Sequence, residues 1–520
     1  MSRAESAVRT VAVVEAAPVP NPSSPQRLLP SILAGLGYDI TVVTRAGTHA
    51  PRPVAGAQAA PRLLNVPELR SDVSPRFAAV SYEIYQALRG TSFDAIIFEE
   101  LGGHAYCTAR ARQLELDFER TTVVIACSGG VLYAAARDQR AYLPRGEFAT
   151  GVLERLALEL ADVAVFDDPS ELEWARTLGW GLPPDCREGA QGTADCDVWA
   201  EVLATEAGRK HSVPGSLLDV SVVVPRHERT TYLPHCLDAL AAQSQLPAEV
   251  IVADDGSTSA TALRQLDEFE SRSWPWQLRC LRLPHGGVGP ARNAGYDAAT
   301  ADLILFVDDD DVLFPDALET LVRAHHAAGA DVVAAGARRF YGEGAPTPRD
   351  DDTVVLFFGQ PYELGLLSNY CGPPTCLWRR EALERIGGFR PVLSPNEDWE
   401  ILVRAALAGA QLVALPDAAY WYRRTPGSRF GADAYAKREM SVAVVAEAFA
   451  ETLPASSHWL PLLAAGAYEE LERRRVAAKP WTATARRRAR LLAQRTRQVR
   501  EEEGLLAVAR RAGNLLVRRQ

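Results

Sequence analysis

Nowhere in the 520 residues is there a run of roughly 18 to 20 consecutive apolar residues, the length a bilayer-spanning helix needs. The first twenty residues also lack the basic-then-apolar layout of a secretory leader, so cytoplasmic residence is the default expectation. The eight cysteines (Cys107, Cys127, Cys186, Cys196, Cys236, Cys280, Cys371, Cys376) contain no CxxC pair and have no histidine partner at zinc spacing, so they are read as reduced, mostly structural thiols. The nine histidines, His325-His326 included, show no ligand spacing with acids and are assigned no metal. A Ser/His/Asp or Cys/His arrangement is likewise missing, which removes a covalent enzyme nucleophile from the expected chemistry. After the first strand there is no GxGxxG. The turn reads Glu15-Ala16-Ala17-Pro18-Val19-Pro20-Asn21-Pro22, with prolines where a dinucleotide fold needs close-approach glycines, and this argues against a nicotinamide enzyme.

What is present fits a multidomain globular protein. The composition, 47% hydrophobic and 23% charged, is that of an average folded chain. Its length exceeds the about 250 to 300 residues at which one core stops growing, and implies two or three domains. The net charge of −10 is unevenly spread. Residues 471–520 hold 15 Lys/Arg against 4 Glu, leaving about −21 on the rest. Such a basic tail can meet anionic lipid or fold back on its own acidic body. The Arg486–Leu492 segment and the apolar Leu515–Val517 patch are compatible with an interfacial helix, so a peripheral membrane contact stays open beside a solvated helix.

From Arg9 the pattern alternates strand and helix. The apolar runs Val11–Val14, Ile40–Val43, Ala95–Phe98, Thr122–Ala126 and Val163–Phe166 are short and rich in Val and Ile. They are separated by helical periods such as Gly151–Leu160, as buried parallel strands should be. Residues 1–212 are therefore expected to form a doubly wound, Rossmann-like α/β domain. The polar stretch 201–215 reads as a linker, a second α/β domain spans 218–430, and residues 431–520 read as a helical, basic appendage with Pro480 as a break.

Chemistry concentrates in the second domain. The runs Val220–Val224 and Val250–Ala253 end in Pro225 and in Asp254-Asp255-Gly256-Ser257-Thr258, where a carboxylate pair can grip a ribose and base, or else simply cap a helix. The glycine-rich turn Gly286–Gly295 feeds a helix whose first turn carries Arg292, placed for a diphosphate or for solvent. Leu303–Val307 runs into Asp308-Asp309-Asp310-Asp311. Four acids at a buried strand end repel unless a cation joins them, and their oxygens suit Mg²⁺ or Mn²⁺, although an acidic turn opening a helix uses the same letters. Near Gly387-Gly388-Phe389, the triplet Glu397-Asp398-Trp399 opens an amphipathic helix. A carboxylate beside Trp399 can be desolvated into a general base, and an N-terminal helix turn explains it equally.

Taken in order, these segments resemble a family-2 glycosyltransferase with the single-domain nucleotide-sugar fold, a mixed sheet flanked by helices. The resemblance covers about 200 residues. It implies that Asp254 and Asp255 face the nucleoside, that Arg292 lies near the donor, and that Asp308 and Asp310 form the D-x-D element, with Asp309 between them. Asp310 is the expected direct metal ligand, and Asp398, next to Glu397, the catalytic base. Where such enzymes usually show Pro-Thr-Tyr-Asn, this chain has Pro225-Arg226-His227-Glu228. His227 can still stack on a base, and Arg226 is expected on phosphate or in solvent. The residues Tyr420–Arg424 through Gly427–Arg429 resemble the closing region of that fold, where a basic loop can cover the diphosphate, or an aromatic edge strand followed by exposed arginines. The function implied is metal-assisted transfer of a sugar, with inversion, from a nucleotide-diphosphate sugar to a glycan, lipid-linked or small-molecule acceptor. No nucleic-acid partner is implied. A non-catalytic nucleotide-sugar or glycan-binding protein, and a second activity in residues 1–212, are the alternatives.

Overall fold

The structure is a computed structural model that describes residues 9–15, 29–45, 61–67, 72–140, 143–189, 196–204, 218–349, 352–360, 362–391 and 397–424. The expected helical appendage, residues 431–520, lies outside them, as do the turn after the first strand and the linker around Ser212. Among the described residues no helix is long and apolar enough to cross a membrane.

The strands fall into two sheets. The first is fully parallel, in the order 62–66, 39–45, 10–15, 95–99, 122–127, 163–166, 185–188. Its central strands are Val/Ile runs buried on both faces, because helices cover each side and every side chain must be apolar. The two outermost strands, Arg62–Val66 and Asp185–Glu188, are largely exposed or half-buried; Arg62 and Asn65 break up the apolar residues of the first and the second is mostly charged, so no apolar run announces them.

The second sheet is mixed and has ten strands. Strands 277–282, 249–254, 220–226 and 303–306 run parallel; 376–379 then joins antiparallel to 303–306, and 332–341 antiparallel to 376–379. The long Leu412–Arg424 strand pairs parallel with 332–341 and antiparallel with 312–313. Helix Val288–Ala298 lies so tightly on the sheet that a Cβ at Gly295 would come within 2.3 Å of the Val223 side chain. This mixed sheet with flanking helices is the fold class the sequence implies.

The two sheets are not independent. Val73–Ser74, from the first half of the chain, adds a strand to the second sheet beside Thr353–Val355. Phe77 stacks on Phe358 at 5.4 Å between ring centroids, and Leu356, Phe358 and Leu364 are buried in the core of the first unit. Asp417, at an irregularity in the long strand, accepts from Tyr82 Oη (2.6 Å) and Gln86 Nε2 (3.0 Å) on helix Ala79–Leu88 of the first unit and from Arg89 Nη1 (2.7 Å) at its C-cap. Asp417→Ala is expected to cost about 1.5–3 kcal/mol, since three donors lose a charged acceptor. A urea midpoint shifted by less than the fitting error would remove Asp417 from the docking.

Candidate active site

The strands 220–226, 249–254 and 303–306 are parallel neighbours, so their carboxyl ends lie on one edge of the sheet. In open α/β sheets ligands bind outside that edge. The fold therefore brings the Arg226–Arg229 loop, the Asp254–Thr258 turn and the Asp308–Asp311 run to one place.

At the first corner, Asp254 is buried and its carboxylate is satisfied within the turn, accepting from Ser257 N (3.0 Å) and Ser257 Oγ (2.6 Å). Arg226 lies 3.3 Å from it with a fully buried side chain. The expectation of a solvent-facing Arg226 is thus corrected, since its side chain is enclosed and serves as the counter-ion of Asp254. Pro225 is buried within the strand, beyond the last residue paired to the 303–306 side, where a missing N–H costs no ladder bond. Asp255 holds the glycine-rich turn by accepting from Gly286 N (2.7 Å) and Gly287 N (3.0 Å). Gly287 takes a φ of 95°, open to glycine at no steric cost, and so starts the following helix.

Over Asp255 the His227 and His285 rings stack at 4.6 Å, with their Nδ1 atoms 2.7 and 3.1 Å from the Asp255 carbonyl oxygen. His227, Asp255 and His285 offer ligand atoms within 4.8 Å of one another, a set able to hold a metal ion. The expectation that no histidine meets an acid is overturned here. Fifty-eight positions separate the two histidines, and sheet topology alone joins them. Glu228 clamps the neighbouring turn, accepting from Thr258 N (2.6 Å), Thr258 Oγ1 (2.9 Å) and Ser259 N (3.2 Å). These bonds hold its carboxyl down at about 2.

The acidic strand end is tied at every residue. Asp308 accepts from Arg292 Nη2 (2.7 Å), and Glu397 from Arg292 Nη1 (3.1 Å). Arg292 is 1% exposed, so it braces two carboxylates rather than facing solvent. Arg229 grips Asp310 Oδ2 (2.5 Å) and Asp309 Oδ1. Asp311 accepts from the Arg423 amide (3.3 Å), while Arg423 Nε donates to the Asp310 carbonyl (3.0 Å). Arg423 is buried, so this end of the 412–424 strand is packed; the following residues, expected to form a basic loop, lie outside the described residues. Burial raises the Asp309 carboxyl to about 7 against the pull of Arg229, with Asp310 and Asp308 adding to the rise, and burial lifts Asp311 well above the ordinary range.

On the far side of Arg292, helix Glu397–Leu407 presents Asp398 in its first turn. Burial, reinforced by Glu397, raises Asp398 to about 7, and Arg292 opposes the rise. Asp398 Oδ2 accepts from Asn369 Nδ2 (2.9 Å), and Trp399 is buried with its Nε1 donating to Gly365 O (2.7 Å). Arg229, His285 and Asn369 were not singled out by the motif analysis. Arg229 lies one residue past the motif, and Asn369 sits in a loop with no sequence signature at all.

Comparison with known proteins matches residues 221–387 to the family model Glycosyl transferase family 2. An uncharacterized glycosyltransferase of Nostoc sp. is 28% identical over 189 residues, 34% of this chain and 55% of that protein. The succinoglycan biosynthesis protein ExoO of Rhizobium meliloti is 29% identical over 221 residues, 40% of this chain and 62% of that protein. The alignment thus spans little more than half the length of either relative. The crystal structure of S. aureus TarS 1–349 in complex with UDP aligns at 22% identity and a TM-score of 0.36, covering 48% of this chain and 70% of that one.

Proposed function

From the match of residues 221–387 to the family model Glycosyl transferase family 2, we propose that the chain moves a sugar, with inversion, from a nucleotide-diphosphate sugar to an acceptor hydroxyl, within residues 218–430. The observation that carries this reading is the buried Arg292 bridge. It fixes the acidic strand end and the first turn of the Asp398 helix to each other through 2.7 and 3.1 Å bonds. No reaction is assigned to residues 1–212 in this proposal.

The donor set fits a divalent cation. Six carboxylates, Asp308 to Asp311 with Glu397 and Asp398, face three guanidiniums, those of Arg229, Arg292 and Arg423. Asp309 Oδ2 is buried with no hydrogen-bond partner among the described residues. Hard carboxylate oxygens are what Mg²⁺ and Mn²⁺ take. Asp310, with Asp308, would hold the ion, which when bound supplies Lewis-acid neutralisation of the leaving diphosphate.

The chain's own residues do the rest. Asp255, His227 and the Gly286–Gly287 turn shape the nucleoside corner, with the His227 ring offering a stacking face. Asp398 takes the proton of the acceptor hydroxyl. The acceptor oxygen then forms a bond to the anomeric carbon opposite the diphosphate, and the departing oxygen leaves with the bonding pair. Asn369 orients the Asp398 carboxylate, and Arg292 keeps it within range of the strand end.

The purified chain incubated with UDP-, GDP- and dTDP-sugars should release one nucleotide in Mg²⁺ or Mn²⁺ and none in chelator. Release that chelator leaves untouched would remove the metal. Binding of a donor without release, with any acceptor class, would leave a binding protein, and absence of both would remove the nucleotide-sugar donor.

A further inference from the structure

The cation site already has an occupant built into the chain. Arg229 reaches across the strand ends and places Nη1 2.5 Å from Asp310 Oδ2 and Nη2 on Asp309 Oδ1. Its side chain is 46% exposed, whereas those of Asp309 and Asp310 are 2% and 20% exposed, so Arg229 lies between the acids and solvent. A guanidinium is one positive charge with a planar fork that matches two carboxylates, and a divalent ion wants the same oxygens. Two cations cannot share them without strong repulsion at that spacing.

The backbone that presents Arg229 is unusual. Arg229 N donates to His227 O (2.6 Å) across Glu228, whose φ is 57°, a tight reverse turn that non-glycine residues rarely adopt. The turn is pinned at the nucleoside corner, where Glu228 holds Thr258 and Ser259 and Glu228 N donates to Ser257 Oγ (2.7 Å). His227, on one side of this turn, stands over Asp255; Arg229, on the other, closes the acidic run. One short loop thus joins the corner where the nucleoside is proposed to bind to the plug on the metal-binding acids.

Building on the metal site proposed above, we infer that Arg229 is an internal competitor of the divalent cation, so that the ion enters only as the guanidinium leaves Asp309 and Asp310. Without donor, the chain then binds a divalent ion weakly, because the ion must displace a fitted counter-charge. An exposed arginine on a loop can swing out at little cost to the core, which separates Arg229 from the buried brace Arg292.

The test is Mn²⁺ binding to the full chain without donor, read by electron paramagnetic resonance of the free ion, for the wild type, Arg229→Met and Asp310→Asn. Arg229→Met is expected to bind Mn²⁺ at least tenfold tighter than the wild type, and Asp310→Asn to bind little. Added guanidinium chloride at low millimolar concentration should weaken Mn²⁺ binding in Arg229→Met more than equal sodium chloride does, by refilling the vacated place. Equal or weaker Mn²⁺ binding in Arg229→Met, with the variant's far-ultraviolet dichroism unchanged, overturns the competition while leaving the metal-assisted reading intact. No Mn²⁺ binding in either protein sinks both.

Discussion

Asp398→Asn is expected to lower kcat by about 10²- to 10⁴-fold, the range a positioned general base contributes, with donor binding unchanged. The carboxylate must be ionised to accept the hydroxyl proton. Burial beside Glu397 raises it to about 7, so kcat/KM of the wild type should climb with a unit slope up to about pH 7 and level off above it. Asp309 is pushed to a similar value, so the assignment rests on the variant. The inflection must vanish in the residual activity of Asp398→Asn, and its persistence would transfer it to the acidic strand end. The stability sign runs the other way. An acid whose folded value is raised stabilises the fold only while protonated, and that contribution is lost as pH rises from the unfolded value near 4 through 7. At pH 8 the ionised, buried Asp398 therefore opposes folding, and Asp398→Asn should melt no lower than the wild type. Loss of turnover together with a lowered melting temperature would mark Asp398 as a structural acid. Asn369→Ala should show a smaller fall in kcat and a shifted inflection, because it removes only the orienting donor.

How far the sequence could be read depended on what each residue packs against. The central strands of the first sheet were legible because burial on both faces leaves apolar runs, as in Thr122–Cys127. The edge strands were silent, since exposed backbone edges tolerate Arg62 or Arg187. The short Val73–Ser74 strand belongs to the other sheet, and two residues carry no period to read. At the site, Asp308 to Asp311 and Glu397-Asp398 stood out because adjacent acids are costly without a purpose. Their partners could not be found in the same way. Arg292 was placed near the donor from its helix, yet its buried bridge to Glu397 joins residues 105 positions apart. Arg226, Arg229 and His285 are common surface residue types whose roles here follow from parallel strand order and not from spacing.

Arg292→Met is expected to destabilise the unit built on the second sheet by about 3–5 kcal/mol, the cost of removing one partner from a buried ionic network. The guanidinium is fully enclosed, bonded to Asp308 and Glu397 and set 5.2 Å from the Phe389 ring centre, so methionine can fill much of the volume but none of the charge. Two carboxylates are then left facing each other, with Asp398 close enough to add to the repulsion. If charge is the cause, Arg292→Met combined with Glu397→Gln should recover part of the loss, because one of the two acids that Arg292 had paired has gone. Urea titration of both variants and of Glu397→Gln alone closes the cycle, and a coupling near zero would mean that the bridge is incidental. Activity should not recover in the double variant even where stability does. The bridge also sets the distance between the Asp398 helix and the acidic strand end, and a neutral Met–Gln pair has no bond with which to hold it.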